Sequence, residues 1–271
     1  MVAERLAGGG AHVTVFEEKP GWEKPCGGGL PPQALRRYPF LLEASDPHRC
    51  VQDVELVAAN SAAVRFTLRA PVAIYSRSTL SGSLLRRAEE AGAEVVQDRI
   101  TNLSRQGSGW RLAGRLRSYE ADFVVLAAGA RTRLRRLLTE DLAARDFMLT
   151  FGYFVPGSDS LLRVQFFNDF EGYAWAFPRP DHLSVGICGK VGETRMSALR
   201  DRLDGFATKF GYTTVSAPVF SHLLPSLSVE SWSSLRLAGP GWALVGDAGG
   251  LVDPVTGEGI YYAMRSGELL A

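Results

Sequence analysis

Cysteine is scarce in this 271-residue chain. Cys26, Cys50 and Cys188 are odd in number and widely spread, which excludes a disulfide scaffold and fits a reducing compartment. Histidine is almost as sparse. His12, His48, His182 and His222 are scattered, and there is no Cys-x-x-Cys, so no metal centre is expected. An excess of one charge is also missing. The net charge is +1, which argues against a nucleic-acid surface, and the basic residues from Arg131 to Arg136 read as a solvated face. No apolar run approaches the ~20 residues of a membrane span. Glu4 and Arg5 interrupt the short apolar start, so no signal-peptide pattern stands there. Repeats and low-complexity segments are absent. What is present is 46% hydrophobic residues, enough for a large core in one or two domains.

The stretch from Trp242 to Ile260 organises the rest. Trp242 to Val245 is short and apolar, the pattern of a buried parallel strand. Gly246 and Asp247 put an acid at its carboxyl end, where ligands collect in open α/β sheets. Pro254 blocks more strand. Gly257, Glu258 and Gly259 then lead into a helical run marked by Ile260, Ala263, Met264 and Leu269. The unpaired N–H groups and dipole of a helix start hold negative charge. The competing reading is a plain strand–loop–helix corner with glycines for tight packing.

Val2 to Gly10 reads as the end of a helix with a glycine cap. His12 to Phe16 reads as a strand tipped by Glu17, the position from which an acid accepts bonds from a dinucleotide ribose. Such an acid is expected ~20 residues after a glycine-rich turn, and only 16 residues precede Glu17. The first strand and its turn are therefore expected to be missing. The chain also stops inside a helix at Ala271, so truncation at both ends is expected. Gly27, Gly28 and Gly29 are consecutive and costly to order. They make sense where backbone approaches a flat ligand. Cys26, just before them, is either a small buried hydrophobe or a chemical group.

Pro31 and Pro32 open a short helix to Tyr38. The runs 54–57 and 64–68 read as an antiparallel pair joined by 58–63. Leu80, Leu84, Leu85 and Ala88 mark a helix that starts near Arg77 and ends at Gly92. A parallel strand at 94–97, a hairpin-rich meander at 100–116 and a buried strand from Ala121 to Ala128 and Gly129 follow. From Phe147 onward four aromatic-rich strands alternate without helices: Phe151 to Val155, Leu162 to Phe166, Tyr173 to Phe177, and Leu183 to Cys188. That pattern argues for an antiparallel sheet. Met196, Leu199, Leu203, Phe206 and Phe210 form a helical packing stripe, and a Leu-Leu-Pro turn is expected within 219–226.

The 242–260 stretch resembles the second flavin-binding motif of FAD-dependent oxidoreductases of the hydroxybenzoate-hydroxylase type. Two further motifs are similar to those of the geranylgeranyl reductase branch: Lys24-Pro-Cys-Gly-Gly-Gly29, and Tyr173, Trp175, Phe177 and Pro178 in a Tyr-x-Trp-x-Phe-Pro segment. The resemblance spans almost the whole chain. It implies an α/β fold with a Rossmann-like FAD-binding domain (1–45, 75–145 and 230–271) and an antiparallel β-sheet substrate domain (46–74 and 146–229). It implies FAD bound by Glu17, Cys26, Gly27, Gly28, Arg77, Ala128, Gly129, Gly246, Asp247, Pro254, Gly257 and Gly259, with Asp247 on the ribityl chain. Tyr173, Trp175 and Phe177 would line a prenyl cavity, and Cys26 and Tyr173 are the proton-path candidates. The implied reaction is reduction of isolated C=C bonds in a geranylgeranyl-type chain, with NADPH or a small redox protein as electron donor. The implied location is cytoplasmic. A lipid substrate is compatible with peripheral membrane contact, though no amphipathic anchor stands in the chain. Two other readings stay open: an FAD-dependent aromatic monooxygenase, and a non-catalytic remnant that binds a hydrophobic ligand. The first is weakened by the absence of a halogenase-type Trp-x-Trp-x-Ile sequence.

Overall fold

The computed structural model describes residues 1–43, 45–60 and 62–271, so the expected 58–63 connection lies partly outside the described residues. The chain forms two compact units. One comprises Met1–Trp22, Ser81–Asp146 and Leu224–Ala271; the other comprises Glu23–Leu80 and Phe147–Leu223. Residues 23–43 and 75–80, expected with the first unit, pack in the second. The reason is strand pairing: β2 (Gly29–Leu30) bonds antiparallel to β4 (Ala63–Tyr75), and α2 (Pro32–Arg37) packs on β4. The short α3 (Phe40–Glu43) follows α2.

The second unit is built on an eight-stranded sheet. The further strands are β3 (His48–Val57), β10 (Phe147–Pro156), β11 (Leu162–Phe166), β12 (Gly172–Pro178), β13 (His182–Lys190) and β14 (Val219–Pro225). Their order is β14-β10-β13-β12-β11-β3-β4-β2. The aromatic strands pair antiparallel as expected, but β11 joins β3 in parallel, so the sheet is mixed. The Leu-Leu-Pro segment, expected as a turn, is the end of edge strand β14.

Alternation gives this sheet two faces. One carries Tyr153, Val155, Ala174, Ala176, Val185 and Ile187 against Leu199, Leu203 and Phe206 of α5 (Met196–Lys209). Leu203 is fully buried, worth about 1.5–3 kcal/mol. The other face carries Tyr173, Trp175 and Phe177, with Gly186 opposite Trp175 and Ser184 opposite Phe177.

In the first unit α1 (Val2–Gly8) ends at Gly9, which has φ −84°, followed by left-handed Gly10, in line with the expected glycine cap. β1 (Thr14–Phe16) pairs in parallel with β5 (Glu94–Val96), which follows α4 (Arg77–Glu90). The meander is a three-stranded sheet of β6 (Ile100–Gln106), β7 (Gly109–Gly114) and β8 (Ser118–Ala121). Ala121 thus closes β8, and the strand expected to begin there is confined to β9 (Val124–Leu126). The short α6 (Val229–Ser233) precedes β15 (Ala238–Gly239) and β16 (Trp242–Leu244). β16 pairs in parallel with β9, and α7 (Ile260–Leu270) closes the unit against α1. Among the described residues no strand joins the β1–β5 pair to the β9–β16 pair. No helix among them is long and apolar enough to cross a membrane.

Candidate functional site

In the second unit the Cys26–Gly29 loop lies against β12. The Phe177 ring covers Gly27 so closely that a Cβ there would fall 2.6 Å from Cδ2. Gly28 has φ +83°, and a Cβ on it would meet the Tyr75 carbonyl oxygen at 2.1 Å. Only glycine fits there, because both the left-handed backbone and the space exclude a side chain. The Gly28 N–H donates to Cys26 Sγ at 3.3 Å. The Cys26 carbonyl accepts from Arg179 Nη2 at 2.5 Å and from Ser184 Oγ at 3.0 Å. Trp175 Nε1 in turn donates to Ser184 Oγ at 3.3 Å. The thiol is half-buried, whereas Cys50 is exposed and Cys188 buried. Burial pushes the Cys188 thiol up to about 12, so it stays protonated and inert.

Upstream of that loop, Glu23 accepts from the Arg77 N–H at 2.8 Å, the Ser78 N–H at 3.1 Å and the Ser78 hydroxyl at 2.8 Å. It also pairs with Arg179 at 2.5 Å. Burial opposes ionisation of Glu23, but the Arg179 charge and the donated bonds outweigh it and hold the carboxyl below its ordinary value. Arg77 opens α4 as expected, and its Nε is buried with no hydrogen-bond partner among the described residues.

The Tyr173, Trp175 and Phe177 rings share one face of β12, with the Tyr173 and Trp175 centroids 5.9 Å apart. Trp175 lies flat because Gly186 opposite it has no side chain: a Cβ there would meet the indole at 2.2 Å. Phe220 fills a similar notch at Gly152 on β10.

In the first unit Asp247 lies beyond the end of β16, in a 3₁₀ turn over Gly246–Gly249, rather than at the strand tip itself. Gly246 has φ +55° and donates to Ser266 Oγ of α7 at 3.0 Å. Asp247 Oδ1 stands 3.3 Å from where a Gly259 Cβ would project, so the acid sits beside the residue that opens α7. Arg135 is buried and reaches Ala248 O at 2.5 Å, clamping the turn. The loop after Pro254 is held by Asp253, which accepts from Val255 N, Thr256 N and Thr256 Oγ1. Burial works against Asp253 ionisation, but the Thr256 and Val255 bonds prevail and keep its carboxyl below the usual range. Gly257 has φ +69°. No side chain caps Gly259, although Glu258 takes the Tyr261 N–H at 2.7 Å. Gly129, two residues after Ala127 beyond β9, has φ +76°, with Ala128 before it. Glu17 follows β1, bonded through its N–H to Val96 O at 3.1 Å, and its carboxylate accepts from Lys19 N.

This arrangement suits a flavin dinucleotide. Left-handed backbone at Gly129, Gly246 and Gly257 and an acid beside the start of α7 are features such a group satisfies. Comparison with known proteins agrees. The family described as FAD dependent oxidoreductase (DAO) matches residues 51–268. The chain belongs to that family. This oxidoreductase is 29% identical to the chloroplastic geranylgeranyl diphosphate reductase of rice (Oryza sativa subsp. japonica) over 99% of its own length and 62% of the relative's. It therefore spans less than two thirds of that protein. A solved geranylgeranyl bacteriochlorophyll reductase-like protein from Thermoplasma acidophilum superposes with TM-score 0.84 at 21% identity, over 98% of this chain and 72% of that one. The flavin-dependent brominase Bmp2 superposes with TM-score 0.76 at 16% identity, over 98% and 73%. At those identities the likeness establishes the fold of the oxidoreductase and leaves the reaction open.

Within the second unit of the oxidoreductase, the sequence-marked Cys26, Gly27, Gly28 and Phe177 come together, with Trp175 one hydroxyl away through Ser184. Within the first, Gly246, Asp247 and Gly259 do. Glu23, Arg179 and Ser184 carry no sequence signal for their place here. Arg179 stands between two prolines and reads as an exposed turn, yet it is fully buried. Gly152 and Gly186 do carry one, because a glycine inside a strand marks a close approach.

Proposed function

We propose that this oxidoreductase reduces isolated C=C bonds of a prenyl chain, with FAD as the resident cofactor and NADPH or a small redox protein as reductant. The observation that carries the reading is the aromatic face of β12, whose Phe177 ring is seated on Gly27 and Gly29 of the Cys26 loop. Bound FAD in its reduced form supplies a hydride. On the protein side, Glu17, Ala128, Gly129, Gly246, Asp247, Pro254, Gly257 and Gly259 hold the cofactor. Asp247 accepts hydrogen bonds from its hydroxyls, and the start of α7 faces negative charge. The resemblance adds Cys26, Gly27, Gly28 and Arg77 as candidates for contact with the cofactor. Tyr173, Trp175 and Phe177 pack the isoprenoid and exclude water. An isolated alkene develops no oxyanion, so rate comes from positioning and a dry apolar surface. Cys26 and Tyr173 are the groups that carry the proton. A prenyl substrate brings the protein to membranes peripherally from a cytoplasmic location.

The test combines purified protein, FAD, a chemical reductant and geranylgeranyl diphosphate under anaerobic conditions, read by mass spectrometry. The expected product gains one H2 per reduced bond. Bound flavin without alkene reduction, but with oxygen-dependent hydroxylation of an aromatic compound, overturns this reading in favour of a monooxygenase. Failure to retain flavin supports a non-catalytic protein.

A further inference from the structure

The Cys26 loop is gripped by a charge that the chemistry above does not use. Arg179 is fully buried, and among the described residues the polar contacts of its side chain go to three places: the Cys26 carbonyl at 2.5 Å, Glu23 at 2.5 Å and His182 Nε2 at 3.3 Å. The guanidinium also stands over the Phe154 ring, 5.0 Å from its centroid. Burying a guanidinium is costly, and an apolar side chain of similar volume fills space at lower cost. Its directed bonds therefore call for a role other than filling space. Two of the three fall on residues 23–26, and Ser184 places a second donor on the same Cys26 carbonyl. Downstream, Gly28 is locked by its left-handed backbone and by the Tyr75 N–H, which donates to Gly28 O at 2.9 Å. Upstream, Glu23 is locked to the start of α4. The backbone is held before, at and after Cys26, and the Gly28 N–H on Sγ holds the thiol against that fixed backbone.

We propose that Arg179 is a positioning residue for the reaction: it fixes the Cys26 thiol by binding the Cys26 carbonyl, with Glu23 as the strut that aims the guanidinium. The proposal rests on the reading that Cys26 serves that reaction. The planar fork of arginine suits this task, since one nitrogen reaches the carbonyl while another reaches the carboxylate. A lysine offers a single point and holds one partner at a time.

The three cysteines make the test internally controlled, since Cys50 is exposed and Cys188 buried. Iodoacetamide labelling is followed at each cysteine by peptide mass spectrometry in the wild type, Arg179→Met, Arg179→Lys and Glu23→Gln. The expected result is Cys26 labelling more than threefold faster in Arg179→Met and Glu23→Gln. Arg179→Lys should lie between, with Cys50 unchanged and Cys188 protected. A change of threefold or less in either folded variant overturns the clamp. If Arg179→Met exposes Cys188, that variant has unfolded, and Glu23→Gln decides by the same threshold. In alkene turnover by the flavin-loaded protein, Arg179→Met should lower kcat more than threefold with KM within twofold, and an unchanged kcat overturns the positioning role. Labelling needs neither flavin nor substrate. Absence of alkene reduction in the wild type therefore sinks the proposed function alone, and the labelling result still judges the clamp.

Discussion

The Glu23 carboxylate gathers more donors than any other group near the loop, and this sets how the second unit responds to acid. Its pKa is held below the ordinary value of 4.5. A depressed folded-state pKa gives stability that is complete above the ordinary carboxylate value and is lost as pH falls through the folded one. Urea midpoints of the wild type should therefore drop as pH falls below about 4.5, and Glu23→Gln should show a flatter acid limb. At neutral pH the variant should be less stable by about 2 kcal/mol, a figure discounted because Glu23 is 26% exposed while Arg179 is 0%. Parallel acid limbs for the two proteins contradict the assignment. None of this is legible in the sequence. Glu23 lies between Trp22 and Lys24 in a polar stretch, and Arg179 between Pro178 and Pro180, so each reads as a solvated charge. Only the tertiary fold shows that they pair across 156 positions.

At the scale of elements the sequence is far more readable. Alternation of period two announces β10 to β13, and the 3.6-residue stripe announces α5, because both patterns record which face is buried. The misplaced boundaries have local causes. Asp122 and Phe123 interrupt what reads as one apolar strand, so Ala121 goes to β8 and Val124 to β9. The parallel pairing of β11 with β3 is invisible to alternation, which fixes faces but not neighbours. The glycine notches yield a prediction at this scale. In Gly186→Ala the new methyl falls 2.2 Å from the Trp175 indole, so the ring must lift and its bond to Ser184 must break. Overpacking of this kind costs about 1–3 kcal/mol. Fluorescence of the variant, with Trp175→Phe as the subtraction control, should show Trp175 emission shifted to the red along with a lower urea midpoint. Unchanged emission means the indole was never seated on that glycine.

For the molecule as a whole, a cofactor that binds the folded state alone must raise its stability. FAD at a hundredfold excess over its dissociation constant should add about 2.7 kcal/mol to the unfolding free energy. Asp247→Ala should remove at least about 1.4 kcal/mol of that increment at the same FAD concentration, the equivalent of a tenfold loss of affinity. Thermal melts with and without FAD measure both, and an increment equal in variant and wild type removes Asp247 from the cofactor site. The general α/β architecture with a separate sheet-based unit was readable from strand and helix order. The exact division was not, because Gly29 and Leu30 carry residues 23–43 into the second unit by pairing with a strand that comes later in the chain.

The backbone passes from one unit to the other after Trp22, Leu80, Asp146 and Leu223. Neither half is a contiguous cassette. A single crossover between genes cannot exchange one and leave the other whole, and no single cut releases either as an intact fragment.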